Sequence, residues 1–293
     1  MKFFEKHPMI MVVIGIFGIS MSAILIRYST APSAVTASWR LVWTVILMTP
    51  AVFGGREVRA ELFSIRKKPM LLSALSGLCL AVHFWFWFES LRFTSVASAT
   101  TIVCTEVIWV SLGFFLFMKG KLSVKAVAAI AVALAGSVCI AFADSGTGGT
   151  HLHGDLLALL ASIAAAVYML LGRRVRKDVS NTVYTYLLYI ACALVLLLMC
   201  AVQRQGMFAY GWNGVLIGLL LAVFSTILGH SVFSWCLKFF SPSFVSACKL
   251  CEPVVSSTLA AILFGEIPGG MQLLGGALIL SSVFYYSRIE QKE

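Results

Sequence analysis

Apolar runs of about twenty residues, separated by short polar stretches, recur from one end of the chain to the other. A helix needs about 20 apolar residues to cross about 30 Å of hydrocarbon at about 1.5 Å per residue. Ten runs reach that length: Pro8–Ile26, Ser33–Phe53, Met70–Ser90, Val96–Met118, Val124–Ala143, Gly154–Gly172, Asn181–Val202, Asn213–Cys236, Phe244–Phe264 and Gly269–Ser287. The pattern predicts an all-α integral membrane protein with ten transmembrane helices. A barrel is excluded, because the runs are about twice barrel-strand length and do not alternate with period two. Lys2 and Lys6 precede the first run as they would in a signal peptide. That run is long for one and no clear small-x-small cleavage site follows it, so it reads as a helix.

Composition agrees with this pattern. Of 293 residues, 60% are hydrophobic and 12% charged, about half the charge of a soluble domain. The net charge of +10 invites a nucleic-acid reading. The basic residues form no stripe, however, and collect in short loops between apolar runs. With the N-terminus in the cytoplasm, 17 of the 22 Lys and Arg fall in inside regions and only Arg27, Arg92 and Arg204 in outside loops. That bias predicts cytoplasmic termini in a multi-pass membrane protein. All eight cysteines lie in apolar segments, where small buried hydrophobes are expected. Cys248-Lys-Leu-Cys251 has metal or redox spacing but no second pair to complete a site.

Shifting the chain by 146 residues lays Leu91-Arg92-Phe93 on Leu237-Lys238-Phe239, Ser95 on Ser241, Glu106 on Glu252 and Arg27 on Arg173. Halves 1–146 and 147–293 would each hold five spans. An odd number makes the second half enter from the opposite face, giving two inverted five-helix repeats.

Several stretches carry a family resemblance. Gly154-Asp155-Leu-Leu-Ala-Leu-Leu-Ala opens a helix ending in Arg173-Arg174. Glu252-Pro253-Val254 is followed by Leu263-Phe264-Gly265-Glu266 and Gly275-Gly276-Ala277-Leu278-Ile279-Leu280. The first half keeps a degraded version, with Glu106-Val107 for Glu-Pro and Lys121 where the usual Glu would stand. Together with length, span number and half-length repeat, these resemble the EamA-type transporters of the drug/metabolite transporter superfamily. The resemblance implies a carrier of small metabolites, often amino acids or their relatives, and often an exporter.

Ionisable residues inside membrane helices are expensive and are functional candidates by default. Glu106 and Glu252 fall near the middle of runs 4 and 9 and are repeat-equivalent. A carboxyl in such a place is tunable, since burial disfavours its charge and a nearby cation favours it; proton coupling needs that property. Alternatively Glu252 only neutralises Lys249, three residues earlier on the same helix face. Arg40 offers a fork that matches a carboxylate, or caps a helix end, or pairs with Glu106. His83 and His230 are proton-relay candidates, or simply hydrogen-bonded helix histidines. Trp87 belongs to an aromatic stretch with Phe84, Trp85, Phe86 and Phe88, either an interfacial anchor or the lining of a substrate cavity. His151 and His153 are expected in solvated loop, and Asp155 as the N-cap of run 6.

No metalloprotease motif, phosphate loop or nucleophile elbow is present, and no cofactor is expected. The reading is a secondary-active permease working by alternating access at a midplane cavity. Its partners would be a small-molecule substrate, the lipid bilayer and protons as coupling ion, in a monomer or homodimer. The rivals are a membrane-embedded enzyme acting on a lipid-linked substrate and a non-transporting partner subunit. An enzyme should cluster its polar groups near one interface, and a partner subunit should carry a large soluble loop or tail. Small-residue runs at Ala126–Gly136 and Gly275-Gly276-Ala277 are expected to let helices pack closely.

Overall fold

A computed structural model of the chain describes residues 2–90, 93, 99, 102–144, 152–264 and 269–290. Arg92, Ser95, His151, Gly265, Glu266 and Pro268 lie outside the described residues. Among those described, every regular element is helical: α1 (Lys2–Lys6), α2 (Pro8–Arg27), α3 (Ser33–Gly54), α4 (Arg56–Ser64), α5 (Lys67–Ser90), α6 (Glu106–Met118), α7 (Val124–Asp144), α8 (Leu152–Val175), α9 (Asn181–Val202), α10 (Gly211–Leu221), a π-helical segment (Ala222–Ser231), α11 (Val232–Cys236), α12 (Pro242–Cys248), a 3₁₀ turn (Lys249–Cys251), α13 (Glu252–Phe264) and α14 (Gly270–Glu290).

Seven described helices are long and apolar enough to cross a membrane: Pro8–Arg27, Ser33–Gly54, Lys67–Ser90, Leu152–Val175, Asn181–Val202, Gly211–Cys236 and Pro242–Leu263. Ile102–Met118, Val124–Cys139 and Leu273–Ile289 are shorter apolar helices. The short polar helix α4 lies in the stretch expected to be a basic loop. Its Glu61 accepts a hydrogen bond from the Ser180 amide at 2.6 Å.

The chain forms two compact units, each drawing on both sequence halves. The first comprises Met1–Trp85 and Val167–Phe239, the second Phe86–Ala166 and Phe240–Glu293. In the first, α2 packs on the π-helical segment so closely that a Cβ at Gly18 would lie 2.7 Å from the Leu228 backbone. There α3 is tied to its neighbours by indole nitrogens, Trp39 donating to the Met207 carbonyl at 3.0 Å and Trp43 to that of Val215 at 3.1 Å. In the second unit α7 lies against α14, where a Cβ on Gly136 would come 2.7 Å from the Gly275 carbonyl oxygen. The expected small-residue packing at these two positions is present.

Two expectations about helix ends are corrected. The helix expected from Gly154 begins at Leu152, so His153 and Asp155 occupy its first turn. Asp155 therefore complements the positive end of the helix rather than capping it. His153 is not in a loop; its ring meets Phe93 edge-on at 4.8 Å.

Candidate functional site

The second unit places its charges where its helices break. Runs 4 and 9 were expected to be continuous, over Val96–Met118 and Phe244–Phe264. Instead a turn at Thr105 precedes α6, and the 3₁₀ turn Lys249–Cys251 precedes α13. Glu106 and Glu252, repeat-equivalent in sequence, are each the first residue of a 13-residue helix.

Missing and added hydrogen bonds, one set local and one partly tertiary, account for both turns. Pro253 has no N–H to give the Lys249 carbonyl, and the Glu252 amide takes that carbonyl in a 3₁₀ bond instead. Val107 holds the proline's place in the first half, and there the Thr105 hydroxyl bonds back to the Ile102 carbonyl at 2.6 Å. Ser162 of α8 accepts from Trp109 Nε1 at 3.1 Å and lies 3.3 Å from the Thr105 hydroxyl, which fixes the start of α6.

Lys249 Nζ lies 2.8 Å from Glu106 Oε1. Both residues are buried, at 8% and 4% exposure. This partner of Lys249 comes from the other sequence half. The amide-rich start of α6 adds its own positive potential at Glu106. Half-buried Glu252 shares the neighbourhood: Cys104 lies within electrostatic reach of Glu106, Lys249 and Glu252.

The first unit holds a different cluster, built on the π-helical segment. Arg40 is 1% exposed. Its Nε donates to Thr226 Oγ1 at 2.7 Å, and its guanidinium sits 4.4 Å above the Phe84 ring. Arg40 is the eighth residue of α3. The Thr226 hydroxyl in turn reaches the Leu221 carbonyl five residues back at 3.3 Å. The Tyr189 hydroxyl bonds Ser231 Oγ at 2.9 Å and lies 3.5 Å from the Thr226 carbonyl. His230 Nδ1 bonds the Tyr168 hydroxyl at 3.1 Å, and Phe84 meets the His230 ring edge-on at 5.4 Å. His83, also buried, lies against Phe84 at 5.3 Å.

Arg40, His83 and His230 are thus brought together through Phe84 and the π-helical segment. Glu106 and Lys249 are brought together at the breaks of the second unit. Trp87, in that unit, is 8% exposed and stacks on Phe88 at 5.2 Å. Thr226, Tyr168, Tyr189 and Ser231 complete the Arg40 cluster and were not singled out from sequence. The signal lay in α9, where tyrosine hydroxyls inside an apolar run need partners. Among the described residues no group of three His, Cys, Asp or Glu side chains could hold a metal ion. All eight cysteines are free thiols, six of them buried.

Just outside the membrane helices, Arg176 is buried with its Nε on the Ser234 carbonyl and its Nη1 on that of Val179. Burial lowers its pKa to about 10, with Tyr184 and Glu61 pulling upward, so it is cationic at neutral pH.

Comparison with known proteins agrees with this architecture. The model of the EamA-like transporter family matches residues 7–142 and again 152–288. The chain is 26% identical over 289 residues to a Salmonella typhimurium protein named a "probable amino-acid metabolite efflux pump", covering 94% of this chain and 92% of that one. An Escherichia coli K12 protein of the same name is 25% identical, with the same coverages. An "uncharacterized transporter" of Clostridium kluyveri is 22% identical over 84% of this chain and 81% of its own. A solved crystal structure superimposes with a TM-score of 0.80 over 97% of both chains at 19% identity, a likeness of fold. A buried ion pair at two helix breaks, an all-helical apolar chain and a family match in each half lead to one assignment: the chain belongs to the EamA-like transporter family, as a multi-pass membrane transporter rather than an enzyme.

Proposed function

We propose that this transporter exports a small zwitterionic metabolite, an amino acid or a close relative, by alternating access coupled to protons. In this reading ten spans form two inverted five-helix repeats, residues 1–146 and 147–293, in the plasma (inner) membrane with both termini in the cytoplasm. The double family match, once in each half, supports the repeat. The names of the Salmonella typhimurium and Escherichia coli relatives support the substrate class and direction. Arg40, His83, Trp87, Glu106, His230, Lys249 and Glu252 are the residues that handle substrate and proton.

The observation that carries the reading is the buried Lys249–Glu106 pair, one charge from each sequence half. Two charges removed from water stabilise a fold poorly, and losing either partner leaves the other uncompensated. A pair kept under those conditions suits ion-pair exchange. The substrate's ammonium or a proton takes Glu106, and Lys249 passes to the substrate's carboxylate.

Thermal stabilisation of the purified protein by amino acids, nucleobases, organic cations and organic acids tests this directly, because a ligand of the folded state raises the melting temperature. An amino acid is expected to stabilise the wild type and not the Glu106→Gln variant. Stabilisation by organic cations or acids alone would contradict the substrate class.

A further inference from the structure

The short helix α4, in the connection between α3 and α5, has two unlike faces. Its nine residues put Val58, Glu61 and Leu62 on one side at helical spacing, all half-buried. Arg56, Arg59, Ala60 and Phe63 fall on the opposite side, all exposed.

The inner face is tied to the protein. Glu61 accepts from the amide of Ser180, the N-cap of α9, at 2.6 Å. The same carboxylate lies within electrostatic reach of buried Arg176, so its charge is directed inward.

The outer face carries cations and an aromatic ring. The Arg56 and Arg59 guanidinium groups have no hydrogen-bond or ion-pair partner among the described residues. Phe63 is 75% exposed, and its ring meets that of Phe53 at 6.4 Å, edge to face. Phe53 is itself 41% exposed and is the next-to-last residue of α3, a helix long and apolar enough to span. An exposed ring seated on the end of such a helix belongs at the boundary between acyl chains and headgroups.

The charge of the connection suits that depth. Arg56, Arg59, Arg66, Lys67 and Lys68 are all exposed, against the acids Glu57 and Glu61. Glu57 opposes an anion, but it lies about 100° around the helix from Arg56, beside the Arg56–Arg59–Phe63 stripe. Basic clusters next to a membrane helix attract the anionic lipids of the cytoplasmic leaflet, and a guanidinium pairs strongly with a phosphate.

We infer that the outer face of α4 is a binding site for an anionic phospholipid of the cytoplasmic leaflet. Arg56 and Arg59 hold the lipid phosphate, and Phe63 lies against the upper acyl chain beside Phe53. Bound lipid braces the junction of α3, α4 and α9, because Phe53 also meets Tyr186 of α9 at 6.3 Å and the Tyr186 hydroxyl lies 3.1 Å from that of Thr49. The choice of leaflet rests on the topology proposed above; the lipid chemistry does not.

The test uses the full chain in phosphatidylcholine nanodiscs with a rising share of phosphatidylglycerol. A lipid bound to the folded state stabilises it by mass action, so phosphatidylglycerol should raise the wild-type melting temperature by about 3 °C or more. Arg56→Gln with Arg59→Gln should melt with the wild type in phosphatidylcholine alone and lose the rise. Phe63→Ser should shrink it. Lys121→Gln with Lys125→Gln, which removes two exposed cations elsewhere, should keep it. No rise in the wild type, or a full rise in the double arginine variant, would overturn the site. An equal rise from soluble glycerol 3-phosphate in pure phosphatidylcholine would overturn the lipid as its occupant. The leaflet is read separately from Ala60→Cys and a membrane-impermeant maleimide, against the parent chain as background. Labelling is expected in inside-out vesicles and not in intact cells. Labelling of intact cells would overturn the leaflet together with the proposed topology, while the nanodisc result decides the lipid site on its own.

Discussion

The Lys249–Glu106 pair is a residue-scale device with an asymmetric energetic signature. Lys249→Met leaves a buried carboxylate without its cation and should destabilise the protein by about 3–5 kcal/mol. The double variant Lys249→Met with Glu106→Gln should recover most of that loss, because neither member of the pair is then left as an unmatched buried charge. Chemical unfolding in detergent measures both; additive losses would mean the two groups do not interact. Thr226→Val should cost about 1.5–3 kcal/mol by removing a partner of the buried Arg40 guanidinium, and a cost under 0.5 kcal/mol would show the contact to be incidental. The candidate residues were legible because a charge inside an apolar run stands out. Their partners were not, since Lys249 and Glu106 come from different halves and helix-face spacing relates only near neighbours.

Among elements, the helices' existence was readable from hydrophobic runs, and their interruptions only partly so. Pro253 marks one break by a rule of covalent chemistry. The matching turn at Thr105 depends on a hydroxyl reaching its own backbone and on Ser162, a tertiary contact that no local pattern carries. The π-helical segment Ala222–Ser231 was equally hidden, because an extra residue per turn leaves composition unchanged. Pro253→Ala restores the missing amide and should leave the melting temperature equal or higher. Turnover should fall about tenfold if the break serves the transport cycle; wild-type turnover would assign the break a folding role only. Gly136→Leu forces a side chain into the α7–α14 contact and should cost about 1–3 kcal/mol. A melting temperature equal to wild type would show that the contact can open without loss.

For the molecule as a whole, composition and charge placement excluded a soluble protein before any residue was weighed, and the family model matches residues 7–142 and 152–288. The division into two compact units was not legible, since each unit takes segments from both halves. Proton-coupled exchange at the Lys249–Glu106 pair requires that substrate flux driven by a proton gradient depend on the carboxylate of Glu106. The direct measurement is proton-gradient-driven transport of a stabilising amino acid in proteoliposomes, comparing wild type with a folded, reconstituted Glu106→Gln variant. Robust flux is expected in the wild type and none above leak in the variant; equal flux in the two would exclude a coupling role for Glu106.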